Sequence, residues 1–193
     1  MTNSTGPVQL LRAAERPATA WRNGGGVTRE VAGYPAGSGL DDFAWRVSLA
    51  EVGSAGPFSA FPGVDRVITL VEGPGMALTV DGTEHVVDAP FRPFAFSGDA
   101  VTDCRLLGGP LVDFNVMTRH GHATAELTFA TEPGPLVVPA GTTVLLVCLS
   151  GTATLDATTA LTRYDAALLT TPATHTLHPA GTTAVLTLRA SVG

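Results

Sequence analysis

Hydrophobic residues in this chain come in short runs rich in Val, Leu, Thr and Phe, and 22 glycines and 14 prolines separate the runs. Apolar positions that alternate with polar ones mark a strand with one buried face, and Gly/Pro punctuation marks the turns between strands. The pattern predicts strands at Val8–Ala14, Val27–Val31, Phe43–Val52, Val67–Val71, Met76–Val80, His85–Val87, Val101–Leu107, Leu111–Thr118 and Ala123–Phe129. The last third adds Thr143–Leu149, Ala153–Leu155, Ala166–Leu169 and Ala184–Arg189. No segment sustains a 3.6-residue period between caps, so little helix is expected and the chain reads as all-β.

A faint internal repeat organises these strands. Arg66-Val-Ile-Thr-Leu-Val-Glu-Gly73 resembles Val144-Leu-Leu-Val-Cys-Leu-Ser-Gly151, each an apolar strand that ends at glycine. A short strand follows each copy (Met76–Val80, Ala153–Leu155), then an apolar element (Pro93–Phe96, Ala166–Leu169) and a closing strand (Leu111–Thr118, Ala184–Arg189). That order resembles an RmlC-like cupin barrel, and two copies suggest a bicupin of two packed β-barrels; chance likeness between β-rich segments is the alternative. The expected division is residues 1–119 and 120–193, with the boundary near Thr118–His122.

Composition narrows the chemistry. The net charge is −6, and all eleven basic residues are arginine. Without lysine there is no Schiff base and no P-loop lysine. Without a basic cluster a nucleic-acid groove is not expected. No apolar run approaches the ~20 residues of a membrane span. Met1–Pro7 is polar and lacks the features of a secretory signal, so a cytoplasmic location is expected. Cys104 and Cys148 lie in apolar runs, where free thiols behave as small hydrophobes; sequence alone leaves a disulfide between them open.

The first half holds more specific signals. Trp21-Arg-Asn-Gly-Gly-Gly-Val-Thr-Arg-Glu30 is followed by Phe43-Ala-Trp-Arg-Val-Ser-Leu-Ala50 and Gly56-Pro-Phe-Ser-Ala-Phe-Pro-Gly-Val-Asp-Arg66. Pro93-Phe-Ala-Phe-Ser-Gly-Asp99 and Gly109-Pro-Leu-Val-Asp-Phe-Asn-Val-Met117 complete the set. In order and spacing these segments resemble the HutD/Ves family over roughly residues 8–120. The resemblance implies a metal-free bicupin without an established reaction. It also implies binding of a pathway intermediate such as urocanate or a formylated or formimino glutamate, linked to histidine utilisation or to stress response.

The residues themselves suggest a carboxylate site. Arg22 and Asn23 adjoin the glycine triplet, whose N–H groups would suit an anion, although a plain bend before a strand explains the glycines equally. Strand parity puts Trp45, Val47 and Leu49 on one face and Arg46 and Ser48 on the other, facing either a pocket or solvent. Arg66 begins an apolar strand after a Pro-Gly turn, as a ligand fork or a structural ion pair. Asp113 and Asn115 share a strand face and could orient Arg66. The expected ligand-binding set is Trp21, Arg22, Asn23, Arg46, Ser48, Phe61, Arg66 and Asn115, supported by Asp113, Gly24 and Gly25.

A metal or other cofactor is not expected. His85 stands alone after Gly73, His175 lacks cupin-type partners, and His120-x-His122 reads as a solvated turn. No Gly-x-Ser-x-Gly elbow occurs, and Glu30, Glu51 and Asp99 are base candidates with ordinary surface readings. The expectation is therefore a binding protein for a small carboxylate, with a homodimer left open. A metal-free isomerase or hydrolase acting on a small acid is the alternative.

Overall fold

The computed structural model describes residues 7–191, so of the polar N-terminal stretch only Pro7 lies within it. Two units emerge. One is contiguous, Pro17–Ala123; the other joins the segment up to Arg16 to the chain from Thr124 onward.

The chain opens with β1 (Val8–Leu11) and a 3₁₀ turn at Ala13–Glu15, the one helical element among the described residues. The contiguous unit contains β2 (Thr19–Ala20), β3 (Gly26–Tyr34), β4 (Trp45–Val52), β5 (Gly56–Pro57) and β6 (Val64–Glu72). It continues with β7 (Met76–Val80), β8 (Thr83–Val87), β9 (Pro93–Ser97), β10 (Thr102–Leu106) and β11 (Leu111–Arg119). The other unit contains β12 (Ala123–Ala130), β13 (Gly134–Val138), β14 (Thr143–Cys148) and β15 (Thr152–Leu155). It ends with β16 (Thr159–Leu161), β17 (Ala166–Leu169), β18 (Ala173–Ala180) and β19 (Thr183–Ala190). The all-β, helix-poor class read from the alternation is what the chain adopts.

The contiguous unit stacks a sheet of order β2-β3-β4-β11-β6-β9 on one of order β5-β10-β7-β8. The other unit combines β1-β17-β14-β19-β12 with β13-β18-β15-β16. Adding eight to each label of β4-β11-β6-β9 and β5-β10-β7-β8 reproduces the second unit's order, so the repeat seen in the sequence is a repeat of topology. The copies differ at their margins, where β2 and β3 extend one sheet and β1 extends the other.

Neither copy closes into the barrel expected from the sequence. Hydrogen bonding divides each into two sheets, and among the described residues β8 and β16 end their sheets without a further partner. Closure comes instead from side chains of both sheets. In the contiguous unit Ala50, Ile68, Leu70 and Leu111 pack against Met76, Leu78, Val87 and Cys104. In the other, Val144, Leu146, Cys148 and Leu169 pack against Val138, Leu155, Leu161 and Leu177. Burying such a side chain contributes roughly 1.5–3 kcal/mol, so these interiors hold the sheets together without a continuous ladder.

Placement of the N-terminal segment differs from the division at residue 119. β1 pairs antiparallel with β17, Val8 opposite Leu169 and Leu11 opposite Ala166. Asp165, 4% exposed, fastens the segment: its carboxylate accepts from the Arg12 guanidinium and the Ala13 amide, both at 2.8 Å. Arg16 adds bonds to the carbonyls of Tyr164 and Leu11. These hydrogen bonds hold Asp165 down at about 2, well below the usual carboxylate, although its burial acts the other way.

Candidate functional site

The interior face of the large sheet in the contiguous unit carries an unusual polar stripe. Register across β4, β11 and β6 sets Arg46, Met117 and Arg66 in one row. The next row holds Ser48, Asn115 and Ile68, and the third Ala50, Asp113 and Leu70. The parity expected for Arg46 and Ser48 therefore points them to the face that carries Arg66, Asn115 and Asp113. Ser48, Arg66, Asp113 and Asn115 are all buried, and Arg46 keeps a 12% exposed side chain against Glu30 at 2.7 Å.

Arg66 is the centre of this stripe. Its Nη2 donates to Asn115 Oδ1 at 3.2 Å and its Nη1 to the Ser59 carbonyl at 3.3 Å. Three rings surround its guanidinium carbon, Phe96 at 4.9 Å and Phe58 and Phe61 each at 5.4 Å from the centroids. A desolvated cation over an aromatic face gains about 0.5–2 kcal/mol per contact, which offsets part of the cost of burying the charge. Burial lowers Arg66 to about 10, with Asp113 acting to raise it and Arg46 to lower it, so it remains a cation at neutral pH. Nε is buried without a hydrogen-bond partner among the described residues.

Asn115 extends the chain of contacts, since its Nδ2 donates to Asp113 Oδ1 in a short hydrogen bond. Asp113 is 1% exposed and its Oδ2 has no partner among the described residues. Burial pushes its carboxyl up to about 7 despite the Arg66 charge and the Asn115 bond.

A loop from Phe58 to Gly63 covers this end of the sandwich. Gly98 fixes it: Phe61 N donates to the Gly98 carbonyl at 2.8 Å, and Gly98 N to the Val64 carbonyl at 2.7 Å. A Cβ on Gly98 would lie 2.5 Å from the Phe61 carbonyl, so only glycine allows this approach. Asp99 caps the same loop by accepting from Gly63 N at 3.1 Å. Phe58, Phe61, Phe94 and Phe96 are each half-buried, forming an aromatic rim around a buried cation, and the His85 ring lies tilted against Phe94, 4.8 Å between centroids. Phe58, Phe96 and the Ser59 carbonyl were missed in the sequence, although Phe58 and Phe96 stand inside the quoted motifs.

The glycine triplet plays another part. Gly24 N donates to the Trp21 carbonyl and Gly25 N to Asn23 Oδ1, so these amides close their own turn and are not offered to an anion. A Cβ on Gly26 would meet the Glu51 carbonyl at 2.6 Å and the Trp21 ring at 3.1 Å, which makes the triplet a bend under an indole. Arg22 and Asn23 are exposed on this turn. The turn borders an open cleft of about 290 Å³ with Glu51–Gly53 and Pro110–Leu111. Val52 at the cleft stands six positions along β4 from Arg46 in the Arg66 row, about 20 Å of strand. Of the expected set, Arg46, Ser48, Phe61, Arg66, Asn115 and Asp113 come together, while Arg22, Asn23, Gly24 and Gly25 lie apart. Trp21 reaches toward the cluster, its ring edge-on to Phe58 at 6.1 Å and its Nε1 donating to Thr28 Oγ1 at 2.8 Å.

The base candidates have structural partners: Glu30 holds Arg46, Glu51 pairs with Arg29 on the surface, and Asp99 caps the loop. Among the described residues no group of three or more His, Cys, Asp or Glu side chains is assembled in a way that could hold a metal ion. His120 pairs with Asp65 at 3.0 Å and His175 with Asp156 at 2.6 Å. No helix among the described residues is long and apolar enough to cross a membrane. Cys104 and Cys148 are both free and buried.

The profile of the HutD family matches residues 13–187. An uncharacterised 21.2 kDa protein in the hutC 3′ region of Pseudomonas putida is 41% identical over 143 residues, 74% of this chain and 75% of that protein. Protein Ves of Escherichia fergusonii is 40% identical over 116 residues, 59% of each chain. The solved HutD of Pseudomonas fluorescens SBW25 superposes with a TM-score of 0.86 at 32% identity, covering 96% of this chain and all of that one. A cupin 2 conserved barrel domain protein of Leptotrichia buccalis, 9% identical with a TM-score of 0.57 over 86% of this chain and 89% of its own, shares the cupin-like fold.

Proposed function

The chain belongs to the HutD family, and from that premise we propose that its Pro17–Ala123 unit binds a small organic carboxylate on Arg66. The ligand class is that of urocanate or a formylated or formimino glutamate, and the role is to moderate histidine utilisation or a stress response. The two eight-strand repeats are read as a bicupin in which one copy carries the site. One observation supports this reading above the others: a buried arginine ringed by Phe58, Phe61 and Phe96, with N–H donors beyond the two it spends on Ser59 and Asn115. Guanidinium donors suit a carboxylate, and aromatic walls suit a flat or extended carbon skeleton.

The test is calorimetric titration of wild type and Arg66→Ala with urocanate, formylglutamate and formiminoglutamate. Removing the charge-assisted contact should cost on the order of 1.5–3 kcal/mol of binding, a loss of about ten- to a hundredfold. Equal binding by a folded Arg66→Ala protein would remove Arg66 from the site, and no binding of any of the three by wild type would remove the ligand class.

A second reading, a metal-free isomerase or hydrolase on a small acid, is favoured by one feature. The Asp113 carboxyl, raised to about 7, is poised for proton transfer near neutral pH. Chromatography of the same three compounds after long incubation separates the readings: unchanged compounds with measurable binding support the binding protein, and product formation supports the enzyme.

A further inference from the structure

Buried carboxylates that stay ionised usually collect two or three hydrogen-bond donors. Asp113 has one, from Asn115, while Oδ2 is buried without a partner among the described residues. Its neighbours across the sheet are Ala50 and Leu70, which offer no side-chain donor. The charged and titratable groups that face it are few. Arg66 on β6 is reached through Asn115. Arg46 on β4 is already held by Glu30 of β3. Cys104 on β10 lies across the core and feels the Asp113 charge. His85 on β8 is turned to Phe94 of β9, its ring tilted against that side chain.

The charge balance follows from this arrangement. Arg66 and an ionised Asp113 together are neutral. A carboxylate that docks on Arg66 would leave the cluster with one excess negative charge in a low-dielectric interior, an expensive state. The interior returns to neutrality by taking a proton, and a singly bonded, buried carboxylate is the group best placed to receive it.

We propose that Asp113 takes up one proton from solvent when a carboxylate docks on Arg66, so that the unit binds an organic anion together with a proton. This rests on the binding reading above and adds a positioning and charge-balancing residue to it. Burial already raises the Asp113 carboxyl to about 7, and a docked anion would offset the pull of Arg66 that now holds it there. Arg66, at about 10, keeps its charge throughout. Below pH 7 Asp113 is largely neutral before the ligand arrives and binding takes up little. Above pH 7 each binding event must bring a proton, and affinity falls with rising pH.

Formylglutamate is a suitable probe because its carboxylates titrate below about pH 5 and add no proton change of their own. Calorimetry between about pH 6 and 8.5, repeated in buffers of different ionisation enthalpy, counts the protons taken up. The expected result is close to one proton per ligand near pH 8. Affinity should be flat below about pH 6.5 and fall by up to about tenfold per unit above pH 7. In Asp113→Asn, which imitates the neutral acid, both effects should vanish and binding at pH 8.5 should match wild type at pH 6. Carbon-13 NMR of the Asp113 carboxyl in the ligand-free wild type gives a second measurement, independent of the variant and of any ligand.

Titration of that carboxyl below about pH 5 would overturn the proposal outright. Formylglutamate binding that is independent of pH, with no proton uptake, would also overturn it while leaving the carboxylate site intact. Absence of formylglutamate binding at every pH would instead count against the site reading itself, and the proton coupling would fall with it.

Discussion

The two copies of the eight-strand motif share topology and differ in what their interiors tolerate. In the first, β6 and β11 bring Arg66, Asn115 and Asp113 to the inner face. The repeat aligns Gly73 with Gly151, and therefore Arg66 with Val144. Register on the neighbouring strand, where Val144 pairs with Thr187, Leu146 with Val185 and Cys148 with Thr183, then equates Asn115 with Val185 and Asp113 with Thr183. An arginine, an amide and a carboxylate in one copy are thus a valine, a valine and a threonine in the other. Thr183 keeps a trace of the same problem, for its buried hydroxyl, like Asp113 Oδ2, has no partner among the described residues. Strand order therefore does not require the polar stripe. What permits it in the first copy is local: three phenylalanine rings, the Ser59 carbonyl and the loop pinned by Gly98.

The harshest way to break the comparison is to move the charge without its surroundings. Val144→Arg would bury a guanidinium in a site that is 0% exposed and lined by leucine and alanine. A loss of about 4 kcal/mol or more is expected, seen as a collapse of the folded fraction in denaturant melts. Near-wild-type stability would mean that the two interiors are equally tolerant. Asp165→Ala probes the second unit's own buried carboxylate. Losing its bonds to Arg12, Ala13 and Thr162 should cost about 3 kcal/mol. Because Asp165 is held near 2, its contribution is present above about pH 4 and disappears as pH falls toward 2. Stability of wild type and variant should therefore converge in acid.

Asp113→Asn should behave in the opposite sense. The folded carboxyl keeps its proton to about 7 whereas an unfolded one loses it near 4, so stability contributed by the neutral form is lost as pH rises between those values. The variant should be the more stable of the two above pH 7, by roughly 2–4 kcal/mol, and the two should draw together below about pH 4. Thermal melts across that range decide it. The smallest effect belongs to the surface. Arg105→Ala breaks an exposed pair with Glu84 and should change stability by less than about 0.5 kcal/mol, the control against which the buried charges are read.

Much of this arrangement was legible in the residues. Alternation along Phe43–Ala50 put Arg46 and Ser48 on one face, and the repeat around Gly73 and Gly151 anticipated β6 and β14. β18 was overlooked because Ala173-Thr-His-Thr-Leu-His-Pro-Ala180 carries polar residues at alternate positions and a proline, although His175, Leu177 and Pro179 do alternate inward. The aromatic rim was hidden for a different reason. Phe96 reaches Arg66 only because β9 pairs with β6, and Phe58 only because its loop folds back, neither of which is a local property. The glycine triplet misled because N–H groups available in a sequence can be consumed in the fold, here by Trp21 and Asn23. Nor does the sequence of Val8–Leu11 reveal that its partner strand lies more than 150 residues further along the chain.

That last feature bears on the order in which the molecule can be assembled. Arg12 and Asp165 are 153 residues apart, yet they join within one unit. During synthesis the segment that holds β1 leaves the ribosome before the strand it pairs with, and it must wait until β17 follows. Residues 17–123 are contiguous and can complete their sandwich while the remainder is still being made. The Arg66 cluster is thus furnished by the contiguous part of the chain, which matures early, and the unit that holds β1 is completed only after it. Deleting residues up to Arg16 should accordingly weaken the late unit and spare the early one, an outcome that hydrogen exchange resolved by segment would register directly.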